Sequence, residues 1–376
     1  MVAPKSFYDR FVAAGVEYFA GVPDSLLKVF CAYLMDHAPP QNHVIAANEG
    51  AAIGLAMGYH LATGLTPLVY MQNSGPGNAV NPLMSLVDKE VYSIPMLLLI
   101  GWPGEPGVKD EPQHIKQGRV MLATLDAMEV PFEIVDADDA QAAGAISPAC
   151  DHIGQTRAAF ALVVKKGAID DYWPKAGGPA TEPFRRDDAI KEIVSYFDDR
   201  DIVVATTGMA SRELFEHREA LGQGHERDFL MVGGMGHASQ VAMGIAAQKP
   251  NRRVVCIDGD GAAIMHLGSL ATTGWRANSN FKHIIINNGA HDSVGGQPTA
   301  GFTVNFPALA VAAGYKQASR ICGPADLSSA IGALWATEGP ALLEAWVNKG
   351  QRNDLGRPTT TPLKNKVQFM NFVRGV

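Results

Sequence analysis

Charge of either sign is scarce in this chain: Asp, Glu, Lys and Arg together make up 18% of its 376 residues. The 38 acidic and 31 basic residues leave a formal net charge of -7 and are spread along the sequence. A nucleic-acid binder needs a basic stripe, and none is present. Long apolar runs are also lacking. The longest, around Leu97 and Ile284, fall well short of the ~18 residues that a membrane span requires. Four cysteines, Cys31, Cys150, Cys256 and Cys322, lie far apart and form no CxxC pair. Structural zinc and a disulfide framework are therefore both poor readings. Asp9 and Arg10 interrupt any secretory apolar segment at the amino terminus. Together these absences predict a soluble, reduced, cytoplasmic protein.

Apolar residues are plentiful, at 47%, and the length suits two domains that each bury a core. Short apolar runs alternate with helical patterns, which predicts parallel α/β layers. In the first half the expected strands are Val16–Val22, His43–Ala47, Pro67–Gln72, Pro95–Gly101, Phe132–Asp136 and Ala159–Lys165. The clearest helix runs from Glu49 to Thr63, with Asn48 as N-cap and Gly64 as stop. Breakers such as Trp173-Pro174 and Gly177-Gly178-Pro179 mark residues 166–186 as a linker between domains at 1–165 and 187–376. In the second half strands are expected at Asp201–Thr206, Phe229–Val232, Arg253–Asp258, His283–Asn287 and Leu342–Val347. Helices are expected at His237–Gln248, Ala262–Arg276, Phe306–Ala313 and Ala325–Ala336. The fold class is thus α/β, with two open, mostly parallel sheets of comparable size.

The apolar run Val254 to Ile257 leads directly into Asp258-Gly259-Asp260-Gly261. Ligands of such sheets bind at the carboxyl ends of strands. Glycines there let the backbone approach a ligand, and a following helix offers N–H groups to phosphate oxygens. Asp260 supplies a hard oxygen suited to Mg²⁺. A nicotinamide fingerprint would want glycine at 264, where Ile264 stands. Alone, Gly-Asp-Gly is also a common turn. The next strand ends in Asn287-Asn288-Gly289-Ala290, another turn-compatible stretch. Parallel neighbours would nevertheless bring the two strand ends together around one cation.

Gly-Asp-Gly, a spacer in the high twenties and Asn-Asn resemble the motif of thiamine-diphosphate (ThDP) enzymes. That resemblance implies that Asp260, the Asn288 side chain and the Ala290 carbonyl hold Mg²⁺, with Gly259, Gly261 and Ala262 along the diphosphate. It also implies a glutamate at the start of a helix in the first domain, which hydrogen-bonds the pyrimidine ring and promotes loss of the thiazolium proton. Ala46-Ala47-Asn48-Glu49-Gly50 occupies that place, so Glu49 is the expected catalytic residue; locally it is equally a first-turn glutamate favoured by the helix dipole. Gly233-Gly234-Met235-Gly236 matches the region that bends the cofactor, with Met235 as wedge and the Gly233 carbonyl as acceptor; otherwise it is a glycine-rich turn. Thr207, at another strand end, is a further diphosphate contact. By the same resemblance the halves are a pyrimidine-binding and a diphosphate-binding domain without the usual central one. Sites then form between chains, which makes a dimer the smallest assembly.

Gly21-Val22-Pro23-Asp24-Ser25-Leu26-Leu27 and the stretch from Asn287 to Gln297 look like the phosphonopyruvate decarboxylases, with the two-subunit sulfopyruvate decarboxylases close by. The implied reaction is loss of CO₂ from 3-phosphonopyruvate to give phosphonoacetaldehyde, a step in phosphonate biosynthesis. Sulfopyruvate is the alternative substrate, and a carboligase a remote one. Asp24 and His114 are expected to handle protons, and Ser25, Ser74 and His291 to bind the substrate anion; His114 also reads as a surface histidine. A non-catalytic α/β binding module is opposed by Glu49, Asp260 and Asn288 all being present.

Overall fold

The computed structural model describes residues 1–173 and 184–375. The chain divides into two compact units, Met1–Gly177 and Gly178–Val376. Each is built on one six-stranded sheet.

In the first unit the strands are β1 (Phe19–Gly21), β2 (His43–Ile45), β3 (Leu68–Gln72), β4 (Met96–Gly101), β5 (Phe132–Val135) and β6 (Ala159–Val164). They lie in the order β2-β1-β3-β4-β6-β5, every pair parallel. Parallel neighbours need crossovers, and the helices that supply them cover both faces. The central strands are accordingly apolar along almost all of their length, Gln72 at the end of β3 being polar. In β4, Leu97 and Leu99 enter one core with Phe7, Phe11, Phe19 and Phe30. Leu98 and Ile100 point the other way, into a core with Ala52, Ile53 and Met71. The two-residue side-chain period thus divides one apolar run between two cores.

The second unit contains β7 (Ile202–Ala205), β8 (Asp228–Leu230), β9 (Val254–Gly259), β10 (Phe281–Asn287), β11 (Ala290–His291), β12 (Gln297–Pro298), β13 (Gln317–Ile321) and β14 (Ala341–Trp346). Its parallel sheet runs β13-β14-β10-β9-β7-β8, and β11 and β12 form a separate antiparallel hairpin. Val255 and Ile257 feed one core, Val254 and Cys256 the other. With strands ranked by chain order, both sheets read second-first-third-fourth-sixth-fifth. The two units therefore share one topology, and in each the strand order reverses between the first and third strands. Such a reversal opens a crevice at the carboxyl ends of the strands.

The helix Glu49–Thr63 has the expected limits. Asn48 is extended and its side chain accepts from the Ala51 N–H; Gly64 closes the helix at φ +75°. Elsewhere the structure differs from expectation. Ala262–Arg276 is two helices, Asp260–Met265 and Ser269–Arg276. The chain turns between them, the Ser269 N–H bonding the His266 carbonyl at 2.8 Å. Strand β13 was not expected. Within the stretch read as a linker, Ile169 pairs with Val2 and Arg185 with Asn348, and Arg186 opens the helix Arg186–Ser195. Positions 174–183 of that stretch lie outside the described residues.

Candidate active site

In the first unit Asp24, Ser25, Glu49 and Ser74 lie at the carboxyl ends of β1, β2 and β3, whereas His114 lies in the helix that follows β4. Glu49 is 4% exposed and accepts a hydrogen bond from Asn78 Nδ2 at 2.8 Å. Burial pushes its carboxyl above the usual range, and the Asn78 bond only partly offsets this. The side chain lies across Gly75, where a Cβ would come within 2.7 Å of Glu49 Cγ and 3.0 Å of the Gln72 carbonyl. Gly75 thus provides the seat for this carboxyl.

Asp24 is fully buried. Its carboxylate accepts from the N–H groups of Leu26 and Leu27 at 3.0 and 3.3 Å and from Gln72 Nε2 at 2.9 Å. Burial raises its pKa despite these donors. Gly101 makes room for it, since a Cβ there would lie 2.0 Å from Asp24 Oδ2. The hydroxyls of Ser25 and Ser74 join the same network, Ser25 to Asp24 at 3.4 Å and Ser74 to Gln72 Oε1 at 3.0 Å. Gln72 therefore links Asp24 to Ser74 across the switch point between β1 and β3. Sequence reasoning passed over it because nothing local marks a glutamine at a strand end. Asp24 is occupied in closing the turn that follows β1.

His114 lies in the helix Pro112–Ala127, with Nδ1 2.7 Å from Asp110 Oδ1. Burial pushes the Asp110 carboxyl up, but the bonds from His114 and the Gly104 N–H outweigh it and hold the carboxyl below its usual range. Both side chains are largely shielded, at 16% and 15% exposure, so His114 is half of an ordered pair rather than a surface histidine.

In the second unit Asp260 is 2% exposed and opens a helix whose N-cap is Gly259, which supplies no side-chain cap. Burial lifts the Asp260 carboxyl to about 6, against the bonds from Thr299 and the Asn288 N–H. Thr299 Oγ1 donates to one carboxylate oxygen, and the Asn288 N–H lies 3.4 Å from the other. Asn288 is thus adjacent to Asp260. Its Oδ1 accepts from the Ala290 N–H at 3.1 Å, and its Nδ2 donates to Asp292 Oδ2 at 2.7 Å. Asn287 is held inside the fold, donating to the Gly301 carbonyl at 2.8 Å and to Glu344 at 2.7 Å. The two asparagines therefore divide the work: the Asn287 side chain anchors the strand end, and Asn288 reaches Asp260 through its backbone N–H.

Around this pair the backbone is stripped of side chains. A Cβ on Gly301 would fall 2.4 Å from Asp260 Oδ2, and one on Gly261 would meet His291 Cε1 at 2.9 Å. Ala262 is buried beside them. Ala290 stands opposite Pro298 in the hairpin, and proline has no N–H to donate to the Ala290 carbonyl. The Asp260 carboxylate, the Asn288 amide oxygen and that carbonyl are all hard oxygens, the ligand type that Mg²⁺ favours. Burial lowers the His291 pKa to about 4, so its imidazole is neutral near pH 7 and meets an anion only as a hydrogen-bond partner. Thr207 Oγ1 accepts from the Gly233 N–H at 3.0 Å, which ties the ends of β7 and β8 together. Gly233, Gly234 and Gly236 all have positive φ, at 73°, 59° and 86°, and the half-buried Met235 lies among them. A Cβ on Gly236 would meet the Ala262 carbonyl at 2.9 Å, so the glycine turn packs directly on the helix that Asp260 begins.

A second cluster lies deeper in the sheet: Cys256, Asp258 and His283 place one ligand atom each within 4.8 Å of one another. Among the described residues it comprises three such ligands. His283 Nδ1 lies 3.2 Å from the Tyr315 hydroxyl, while Nε2, 3.6 Å from Asp258, has no hydrogen-bond partner among the described residues.

Residues 1–130 match the family model described as the N-terminal TPP binding domain of thiamine pyrophosphate enzymes, and residues 206–345 match the C-terminal TPP binding domain. A phosphonopyruvate decarboxylase of Streptomyces viridochromogenes is 33% identical over 389 aligned positions, covering 99% of this chain and 95% of the relative. The chain belongs to the thiamine pyrophosphate enzymes. Two further relatives of this thiamine pyrophosphate enzyme are separate subunits. The sulfopyruvate decarboxylase beta subunit of Methanocaldococcus jannaschii is 37% identical over 131 residues, 35% of this chain and 66% of the subunit. The alpha subunit of Methanococcus maripaludis is 35% identical over 132 residues, 35% of this chain and 76% of the subunit. Family membership accounts for a fold of two parallel α/β units without a central domain.

Proposed function

We propose that this chain is a carboxy-lyase that uses thiamine diphosphate and Mg²⁺ to convert 3-phosphonopyruvate into phosphonoacetaldehyde and CO₂. The observation that carries this reading is the end-to-end match to a phosphonopyruvate decarboxylase. The sulfopyruvate decarboxylases match at lower identity or over a smaller share of the chain, and they make sulfopyruvate the second reading. The bound cofactor supplies an electron sink for the pair released as CO₂ departs.

The chain's own residues do the rest. Residues 1–165 serve as the pyrimidine-binding domain and 187–376 as the diphosphate-binding domain. Asp260, the Asn288 side chain and the Ala290 carbonyl hold Mg²⁺. Gly259, Gly261, Ala262 and Thr207 lie along the diphosphate. The Gly233 carbonyl and Met235 hold the pyrimidine in position. Glu49 keeps a proton to higher pH than a surface glutamate, because its surroundings are dry and the bond from Asn78 only partly offsets this. It can therefore share that proton with a ring nitrogen. Gln72 orients Asp24 and Ser74, and with Ser25 they present hydroxyl and amide groups toward an anionic substrate. His114, held by Asp110, is a further proton carrier, and His291 a neutral donor beside Gly261. The site is completed between two chains, so the working form is a dimer or larger. Four unpaired cysteines suit a reducing cytoplasm, and among the described residues no helix is long and apolar enough to cross a membrane.

The test is CO₂ release by the purified protein with ThDP and Mg²⁺, given phosphonopyruvate, sulfopyruvate and pyruvate in turn. Phosphonopyruvate is expected to have the highest kcat/KM. A higher value for sulfopyruvate would transfer the assignment to the second reading.

A further inference from the structure

Asn288 has to present its amide oxygen, not its nitrogen, to a cation, and one carboxylate decides which way the amide faces. Asp292 Oδ2 accepts from Asn288 Nδ2 at 2.7 Å. On the other side, Asn288 Oδ1 accepts from the Ala290 N–H at 3.1 Å. A carboxylate can only accept and a backbone N–H can only donate, so the reversed amide would lose both bonds. The carboxylate is itself fixed. Arg186 Nη1 donates to Asp292 Oδ2 at 2.8 Å, and the Gly350 N–H reaches the same oxygen at 2.9 Å. Arg186 in turn is gripped by Glu213 through two bonds, at 2.9 and 3.0 Å. Arg186 is 6% exposed and Glu213 1%, and the Asp292 side chain is 9% exposed.

We propose that Asp292 is a positioning residue for the metal: held by Arg186, it locks the Asn288 amide with its nitrogen toward Asp292 and its oxygen on the opposite side as the acceptor. This rests on the reading of Asn288 as a Mg²⁺ ligand and adds the group that makes it one. Arg186 begins the first helix after the inter-unit stretch, far from the Gly-Asp-Gly and Asn-Asn signature. The chain thus uses a buried Glu-Arg-Asp relay to set one side-chain torsion at the strand end. Partners of this kind, one shell out from a metal, typically change metal affinity by ~10–100-fold when removed.

The experiment compares the parent with Asp292→Asn, Asp292→Glu and Arg186→Lys, each stripped of divalent ions. ThDP binding is followed calorimetrically against Mg²⁺ concentration, and the melting temperature of each stripped protein is recorded. Asp292→Asn is expected to raise the half-saturating Mg²⁺ concentration at least 10-fold, while ThDP still binds at saturating Mg²⁺. Asp292→Glu keeps an anionic acceptor and is expected to recover part of that loss. Arg186→Lys is expected to shift the Mg²⁺ curve by a smaller factor. A folded Asp292→Asn protein with a Mg²⁺ curve within twofold of the parent would overturn the proposal. Should that variant not fold, an unshifted curve for Arg186→Lys would do the same. A parent that binds ThDP equally well without any divalent ion would instead remove the metal reading beneath it.

Discussion

At the scale of single residues, the functional reading depends on where two carboxyls are buried and what faces them. Glu49 and Asp260 are both first residues of helices, both nearly inaccessible and both shifted upward by burial. A charge placed in such a position costs free energy unless a hydrogen-bond donor or cation meets it. Glu49→Gln preserves the shape and the contact with Asn78 but cannot exchange a proton. It is expected to bind ThDP as the parent does, measured calorimetrically, while kcat falls by ~100-fold or more. Gly75→Ala tests the same carboxyl from behind. Its Cβ would meet Glu49 Cγ at 2.7 Å, so kcat is expected to fall although no reacting group is altered. The signature residues Asp260 and Asn288 were legible in the sequence because a strand end fixes their neighbourhood locally. Gln72, Asp292 and Arg186 were not, because their roles arise from hydrogen bonds between segments far apart in the chain, such as the 106 positions separating Arg186 from Asp292.

At the scale of elements, apolar runs gave the strands of both sheets, and the misses have local causes. Gln317–Ile321 is an edge strand of mostly half-buried residues, so it carries no continuous apolar run. The helix expected over Ala262–Arg276 is broken because the chain must turn at His266–Gly268, whereas the small and apolar residues on both sides look alike. A titratable group inside an element gives a test of its packing. His43, the first residue of β2, bonds the Tyr70 hydroxyl at 3.0 Å, and burial lowers its pKa to about 4. The unfolded chain takes up this proton below pH ~6.5 while the folded chain resists it until about 4. The unfolded state therefore binds more protons across that window, and stability falls as pH is lowered through it, by roughly 3 kcal/mol at most. Urea unfolding at pH 7 and pH 5 is expected to show a steeper loss for the parent than for His43→Gln, which has nothing to titrate there. Parallel slopes for the two proteins would mean that His43 is not held neutral by its surroundings.

At the scale of the whole molecule, two units of one topology carry different chemistry at equivalent strand ends. After the second strand of its sheet each unit presents a site element, Glu49 in one and the Gly233–Gly236 turn in the other. After the third strand come Asn73 and Ser74 in one and Asp260 in the other. The Glu49 carboxyl and the Asp260 oxygen set thus belong to separate bodies, each complete in its own core. If every site pairs the first unit of one chain with the second unit of another, damage to the two units can be separated genetically. Glu49→Gln and Asp260→Ala are each expected to be nearly inactive alone. Co-expressed, they form mixed dimers in which one site combines an intact Glu49 with an intact Asp260 and the other carries both lesions. Random pairing makes half the dimers mixed, so activity is expected to return to roughly a quarter of the parent's. A co-expressed pool no more active than the better single variant would place both carboxyls of each site on one chain.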